Sequence, residues 1–374
     1  MSQLRSRKVQ PDNRPECRTG GRVCYHSWDL FPIGIANMRR TPILQGVVKF
    51  TLVCWLLSAA SVAQVSVLTQ RYDTARDGVN ASETTLTLSS VSTGNFGKLF
   101  SLPTDGYMYA QPLYMANVSI PGNGTHNLVF VGTEHGSVYA YDADGLLAQP
   151  IWQVSLPSLG CPSGFTCTSV PASADPSTTD LLPEISITST PVIDSSTGTI
   201  YVVAKAKEVN GGTTNYNYRL HALDATTGAE RAGSPALISG SVSGKTFSPL
   251  FSLQRPGLAL VNNTVFIAFG SWGDDNGWYG WVFGYDKTSL SRVAIFNAAP
   301  VGQAGIWMSG AAPAVDASGF LYVTTGNGAF DGTNNFGDSF LKLETSGLTS
   351  AFISARISTK SAQIAGSPSE SRSW

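Results

Sequence analysis

Charged residues are scarce in this 374-residue chain, where Asp, Glu, Lys and Arg together make up 13%. After residue 64, no stretch shows apolar residues sustained at helical spacing, which argues against a helical domain. Glycine, serine, threonine and aromatic residues are plentiful instead. That composition is typical of short strands joined by tight turns. The length would suit two average domains, but all-β architectures often use such lengths as one.

A cluster of basic residues near the start of the chain precedes an apolar run. Met38-Arg39-Arg40 opens the cluster, the run covers residues 50–60, and Ser61-Val62-Ala63 forms a small-x-small site. This order is that of a secretory signal peptide. We therefore predict a signal peptide over residues 38–63 and, before it, upstream sequence foreign to the protein over residues 1–37.

The alternative for this segment is a genuine cytoplasmic tail with one membrane anchor. The run is shorter than the ~20 apolar residues that a spanning helix needs. Signal cleavage would leave a chain without a membrane span, exported to the periplasm or the extracellular space.

The exported part of the chain is predicted to be acidic. Residues 1–63 hold nine of the 24 basic and three of the 25 acidic residues, which leaves 15 basic against 22 acidic, a net charge of −7. An acidic domain without a basic patch is a poor partner for nucleic acid. Nucleic acid is therefore excluded as a ligand.

Cysteine is also rare, with five in the chain, three of them within residues 1–63. The remaining pair, Cys161 and Cys167, could close a small disulfide loop in an oxidising compartment. Zinc binding suits the pair less well, because no second ligand pair or nearby histidine accompanies it.

A unit of two strands and an acidic turn recurs four times. The second strand of each unit ends in an acidic residue, at positions 142, 224, 286 and 344, with spacings of 82, 62 and 58 residues. A proline-containing approach strand precedes each unit. The main predicted strands cover residues 128–131, 137–141, 199–204, 218–223, 264–269, 280–285, 320–325 and 339–343. Trp152 is predicted to lie on a further short strand.

Repeated units of about four strands are typical of β-propeller blades, because a twisted sheet buries both faces only when it stacks between neighbours. We predict an all-β fold, a propeller of four-stranded antiparallel blades with about four blades over residues 99–349. A strap over residues 64–98 precedes it, and residues 350–374 are predicted to be disordered. We favour a larger ring of seven or eight blades over a closed ring of four.

The segment Leu220-His221-Ala222-Leu223-Asp224-Ala225-Thr226-Thr227-Gly228 resembles the repeat of quinoprotein dehydrogenases and their non-catalytic relatives. In that repeat, an Ala-x-Asp-x-x-Thr-Gly turn is followed by a docking tryptophan. A looser copy runs from Tyr139 through Asp142 to Trp152. The resemblance covers about residues 65–345 and implies the propeller fold.

The resemblance also implies a cofactor site. Trp307 and Asn327 match the family's tryptophan floor beneath pyrroloquinoline quinone and its Thr-Gly-Asn calcium ligand, and Glu208 matches the position of a second ligand. In such an enzyme, Ca²⁺ would polarise a quinone carbonyl while the protein oxidised an alcohol or a sugar. This chain lacks the family's adjacent cysteines, and it offers no candidates for the base or the quinone-pairing cation.

Each of these residues also has a structural interpretation. Asn327 between two glycines is a strong turn signal, since Asn and Gly both tolerate positive φ. Trp307 could be a blade-packing aromatic residue, and Glu208 a solvated loop residue. Asp142, Asp224 and Asp286 are expected to cap turns through their side chains.

A second candidate site is the loop between residues 272 and 278. Its members Trp272, Asp274, Asp275 and Trp278 could bind a cation or a sugar, with Trp281 nearby. The structural interpretation is a plain loop with exposed aromatic residues, since the oxygen ligands lack the alternating spacing of a calcium loop.

The function predicted from these patterns is that of an exported, non-catalytic propeller that binds or scaffolds a protein or carbohydrate ligand through its loops. One alternative is a dehydrogenase dependent on pyrroloquinoline quinone (PQQ) and Ca²⁺, or a truncated remnant of one. The other alternative is a carbohydrate-binding propeller.

Overall fold

A computed structural model describes residues 64–172, 181–274, 277–348 and 350–354, the last five by their backbone alone. The predicted upstream extension and signal peptide lie outside the described residues, as do residues 355–374. Within the described ranges, no helix is long and apolar enough to cross a membrane.

The first two blades follow one another in the chain. Blade 1 consists of β1 (Leu113–Ile120), β2 (Gly124–Gly132), β3 (Ser137–Asp142) and β4 (Trp152–Ser155). The connection contains α1 (Leu156–Leu159), β5 (Thr166–Thr168), β6 (Val170–Pro171) and β7 (Glu184–Ile185). Blade 2 consists of β8 (Val192–Asp194), β9 (Thr199–Asn210), β10 (Thr213–Asp224) and β11 (Ala236–Leu237). Strand β5 adds to its sheet beside β9.

The other two blades repeat this plan. Before blade 3 come β12 (Ser241–Val242), β13 (Lys245–Thr246) and β14 (Ser252–Leu253). Blade 3 consists of β15 (Ala259–Val261), β16 (Thr264–Ser271), β17 (Trp281–Asp286) and β18 (Arg292–Asn297). The short strand β19 (Gln303–Gly305) follows. The last segment contains β20 (Ala314–Val315), β21 (Leu321–Thr324), β22 (Gly326–Gly328), β23 (Phe340–Leu343) and β24 (Ser350–Ser354). All of these except β22, which pairs with β19, form blade 4.

The all-β prediction and the plan of four-stranded antiparallel blades are confirmed. Among the boundaries that differ from the prediction, two change the plan of the blades. The β9–β10 hairpin is longer than expected, with twelve residues in each strand. Residues 350–354, predicted to be disordered, instead form β24 as the outer strand of blade 4. The size of the complete ring stays a prediction.

Alternating side chains join each inner blade to both of its neighbours. On β9, Ile200 and Val202 pack into a core shared with blade 1, whereas Tyr201 and Val203 pack into a core shared with blade 3. Strand β16 likewise directs Val265 and Ile267 toward blade 2, and Phe266 and Ala268 toward blade 4. Because successive strand residues point to opposite faces, an apolar run in these strands buries both faces of the sheet.

The acidic turns hold the ends of the blades. Asp224 Oδ1 accepts a hydrogen bond from the Thr226 amide at 2.8 Å, and Asp142 and Asp286 accept bonds from their own turns. Trp152 of blade 1 docks onto the turn of blade 2, donating from Nε1 to the Ala225 carbonyl at 3.0 Å. A Cβ on Gly228 would lie 2.6 Å from the indole ring, so this position requires glycine. The predicted capping role of the turn aspartates is confirmed.

The strap crosses the inner edges of all four blades. Val67 pairs with Tyr114 of blade 1, and the Leu68 carbonyl accepts from the Ile193 amide of blade 2. Farther along, Arg76 donates to the Leu258 carbonyl, and the Thr74 carbonyl accepts from the Val315 amide of blade 4. The strap therefore connects the blades to one another, beyond its predicted role of leading into the first sheet.

Cys161 and Cys167 are joined by a disulfide in the connection between blades 1 and 2, with their Cα atoms 5.6 Å apart. The bonded pair follows α1 and closes a loop that ends on β5. Its position beside β9 places it at the edge of blade 2.

Candidate functional site

The ring of Trp307 is wedged between the loops of blades 3 and 4. A Cβ at Gly270 or at Gly305 would lie 2.7 Å from the indole, and one at Gly326 would lie 3.1 Å from it. On another side, the ring meets Trp278 edge to face, with 5.3 Å between the ring centres and an angle of 62° between their planes. These contacts assign Trp307 a packing role in which three glycines make room for the indole.

Asn327 occupies the turn against which this ring rests. Its backbone is left-handed, with a φ of 51°, and its amide donates to Asp338 Oδ1 at 2.9 Å. The flanking glycines pair β22 with β19. The structure thus brings Trp307 and the Asn327 turn together, as the resemblance implied, while the exposed Asn327 supplies the backbone conformation that the turn needs.

Glu208 was expected to be either a solvated loop residue or a calcium ligand, and the solvated interpretation is wrong. It lies on β9 with a side chain that is 2% exposed, and Oε1 is paired with Arg219 Nη1. Its Oε2 accepts from Asn217 Nδ2 at 2.8 Å. The long hairpin is the cause, because it places the polar residues of β10 beside a carboxylate that the sequence seemed to leave in a loop.

These contacts do not fit a calcium–quinone site. Both oxygens of Glu208 are used, and the guanidinium of Arg219 supplies the positive charge that a cation would otherwise bring. The partners Arg219 and Asn217 belong to blade 2, whereas Asn327 lies beside blade 4. In the part of the chain that the structure describes, no group of three His, Cys, Asp or Glu side chains could hold a metal ion.

The aromatic residues predicted to be exposed around the 272–278 loop are buried. Trp272 is fully enclosed, with Lys205 Nζ 3.9 Å from the centre of its ring, and Trp281 lies in the core between blades 2 and 3. Trp278 is 5% exposed. The prediction of exposed rings was wrong because the local sequence around a tryptophan at a strand end is the same whether the side chain contacts solvent or a neighbouring blade. Asp275 lies outside the described residues.

Beside this loop the structure shows a cavity that the sequence did not predict. Its volume is about 450 Å³, and it opens between the loops of blades 3 and 4. The lining residues are Asp274, Gly277, Trp278, Tyr279, Val301, Gly302, Gln303 and Ala329. Asp274 and Trp278 belong to the loop singled out from the sequence, whereas Gln303 begins the short strand β19, where the sequence has no recognisable motif.

A buried carboxyl group between blades 1 and 2 was also missed. Glu134 is 1% exposed, and its Oε2 accepts from the Ser186 amide at 2.7 Å. Its Oε1 has no hydrogen-bond partner among the described residues. Burial raises the pKa of Glu134 to about 7, and nearby Glu184 adds to the effect, although Lys205 opposes it.

This raised pKa predicts a loss of stability with rising pH. The contribution of the protonated carboxyl is present in full below pH 4.5, the ordinary pKa, and is lost as the pH rises through about 7. At about 1.36 kcal/mol for each pKa unit, the loss is about 3 kcal/mol. Urea unfolding should show that Glu134→Gln gains stability relative to the natural chain between pH 5 and pH 8. An equal difference at both pH values would contradict this assignment.

No protein-family model matches the chain, and no curated protein matches it. Solved structures similar to it include the following three. The quinohemoprotein alcohol dehydrogenase ADHIIG from Pseudomonas putida HK5 is 18% identical, with 68% of this chain and 34% of that one covered and a TM-score of 0.40. A europium-containing methanol dehydrogenase is 14% identical, with 77% and 48% covered and a TM-score of 0.42.

The third, a luciferin-regenerating enzyme, is 11% identical, with 68% of this chain and 63% of that one covered and a TM-score of 0.29. The chain therefore spans less than two thirds of each of these structures. Two of the three are named as alcohol or methanol dehydrogenases. Similarity at these identities and TM-scores assigns no activity to this chain.

Proposed function

We propose that the chain is an exported, non-catalytic propeller segment that binds a ligand through the loops of blades 3 and 4. The observation that carries the proposal is the pairing of Glu208 with Arg219, because it commits the candidate calcium ligand to the interior of blade 2. Trp307 is likewise committed to packing against three glycines. The residues that suggested catalysis therefore have structural roles.

The blades supply a rigid support for such a site. A hydrophobic core lies between each pair of neighbouring blades from blade 1 to blade 4, and the strap joins their inner edges. Loops held on a rigid scaffold are where binding sites commonly occur. The cavity beside Asp274 lies on such loops, and its volume of about 450 Å³ falls within the range of ligand pockets, about 300–1,000 Å³.

Export is part of the proposal. The disulfide between Cys161 and Cys167 supports it, because such bonds persist in oxidising compartments. The signal-peptide pattern before residue 64 points the same way.

The proposal is tested by reconstitution with PQQ and Ca²⁺. The purified chain, from residue 64 onward, is mixed with both and assayed for dye reduction with a panel of alcohols and sugars. We expect no substrate-dependent reduction above the level given by the quinone and Ca²⁺ without protein. Reduction that depends on both the protein and an alcohol would overturn the non-catalytic assignment.

The rival function is a PQQ- and Ca²⁺-dependent dehydrogenase. One observation favours it, namely that the Trp307 ring lies against Gly326, next to Asn327, as the family pattern requires. If this rival were correct, Trp307→Phe would lower the dye-reduction rate while leaving the fold intact. The non-catalytic proposal predicts no such rate to lose.

A further inference from the structure

We infer that the cavity lined by Asp274, Tyr279 and Gln303 binds a small neutral polyhydroxylated ligand of the size of a mono- or disaccharide. The inference rests on the proposed binding function and names its ligand class. It departs from the aromatic platform expected from the sequence, because Trp272 and Trp281 are buried elsewhere.

The charge around the cavity favours a neutral ligand. Asp274 is the one carboxylate in the described lining, and its negative charge would repel an anion. Lys245 is the nearby cation, with Nζ 5.5 Å from the centre of the Tyr279 ring. The ammonium group of Lys245 is therefore engaged in a cation–π contact with Tyr279.

The shape of the site argues against a flat aromatic ligand. Trp278 forms one wall and meets Trp307 edge to face, so the two rings do not form a parallel slot. A planar cofactor sandwiched between rings would need such a slot. A sugar ring is thicker and needs only one aromatic surface together with polar groups at its rim.

The polar groups match the chemistry of a sugar. A hydroxyl group both donates and accepts hydrogen bonds, so a site for several hydroxyls needs donors and acceptors close together. The amide of Gln303 offers both, the carboxylate of Asp274 accepts, and the phenol of Tyr279 can do either. Asp274 Oδ1 accepts a hydrogen bond from the Ser271 hydroxyl, which orients the carboxylate, and its second oxygen has no hydrogen-bond partner among the described residues.

Gln303 is held in place at some conformational cost. Gln303 and Ala304 are consecutive left-handed residues, with φ values of 69° and 56°. The Gln303 amide donates to the Trp278 carbonyl, and its carbonyl accepts from the Gly280 amide, both at 3.0 Å. Non-glycine residues held in this conformation often mark functional sites. Here the strained backbone belongs to an exposed residue whose side chain carries an amide and which lines the cavity.

The experiment measures sugar binding and stability on the same variants. Glucose, galactose, mannose, N-acetylglucosamine, maltose and cellobiose are screened by saturation-transfer NMR and then by calorimetry. We expect at least one to bind with a dissociation constant below about 10 mM. Gln303→Gly should weaken that binding at least tenfold, while its melting temperature should stay the same or rise because glycine relieves the strained φ.

Asn262→Gly is the matched control, because Asn262 is also left-handed, with a φ of 53°, at the opposite end of β16. It should leave sugar binding unchanged. The inference is overturned if none of the six sugars binds, or if Gln303→Gly binds as well as the natural chain. Neither result would alter the dye-reduction outcome, so the ligand class and the non-catalytic assignment can fail separately.

Discussion

Replacing Arg219 by Met should lower the free energy of unfolding by about 3–5 kcal/mol, because it leaves a buried carboxylate without its charged partner. The side chain of Glu208 is 2% exposed and that of Arg219 is 13% exposed, so water cannot replace the lost guanidinium. Among the described residues, Asn217 would then be the remaining side-chain partner of the carboxylate. Urea unfolding at pH 7, followed by tryptophan fluorescence, measures the difference.

The double variant Glu208→Gln/Arg219→Met is the control. It removes both charges and keeps an oxygen for the Asn217 amide, so it should recover most of the lost stability. A cost below about 1 kcal/mol for Arg219→Met would place the pair with ordinary surface ion pairs and contradict its buried role. Recovery by the double variant would show that the loss comes from the unpaired charge of Glu208 and not from the lost packing of the arginine side chain.

Replacing Arg76 by Met should release the strap from the blades. The guanidinium donates to the Pro313 carbonyl at 3.1 Å and the Leu258 carbonyl at 3.3 Å, and it also holds Thr69 at 2.6 Å. Burial lowers its pKa to about 10, so it remains charged at neutral pH. Counting only the two bonds from the strap to the blades, at about 1.5–3 kcal/mol each, the loss is about 3–6 kcal/mol.

Limited proteolysis reports on this release directly. Cleavage within residues 67–77 should become faster in Arg76→Met, together with a lower urea midpoint. Arg71→Met is the control, because Arg71 lies in the same strap with an exposed side chain. Equal cleavage rates in the two variants would show that Arg76 does not tie the strap to blades 3 and 4.

The fold could be predicted because each blade is a local pattern. Strands such as residues 199–204 and 264–269 are short apolar runs between turn residues, and the acidic turns repeat the plan at 142, 224 and 286. Those signals depend on neighbours in sequence. Strand β24 was missed because Ser350–Ser354 carries little alternation and is a strand only through its pairing with β23.

The candidate site was harder to predict because its meaning depends on distant contacts. The sequence predicted a solvated Glu208, but the hairpin places Arg219 beside it. It predicted an exposed Trp272, but Lys205 packs against its ring. The strap is similar, since nothing near Arg76 in the sequence indicates that its partners are Leu258 and Pro313. Residue types were recognised correctly, but their partners come from the packing of blades.

Unfolding in the presence of Ca²⁺ and PQQ tests the central claim most directly. A ligand present at 100 times its dissociation constant would raise the free energy of unfolding by about 2.7 kcal/mol. Because Glu208 is paired with Arg219, we predict that high concentrations of Ca²⁺ and quinone leave the urea midpoint of the natural chain unchanged. A gain of that size that disappears in Glu208→Gln would contradict the structural role of Glu208 and restore it as a calcium ligand.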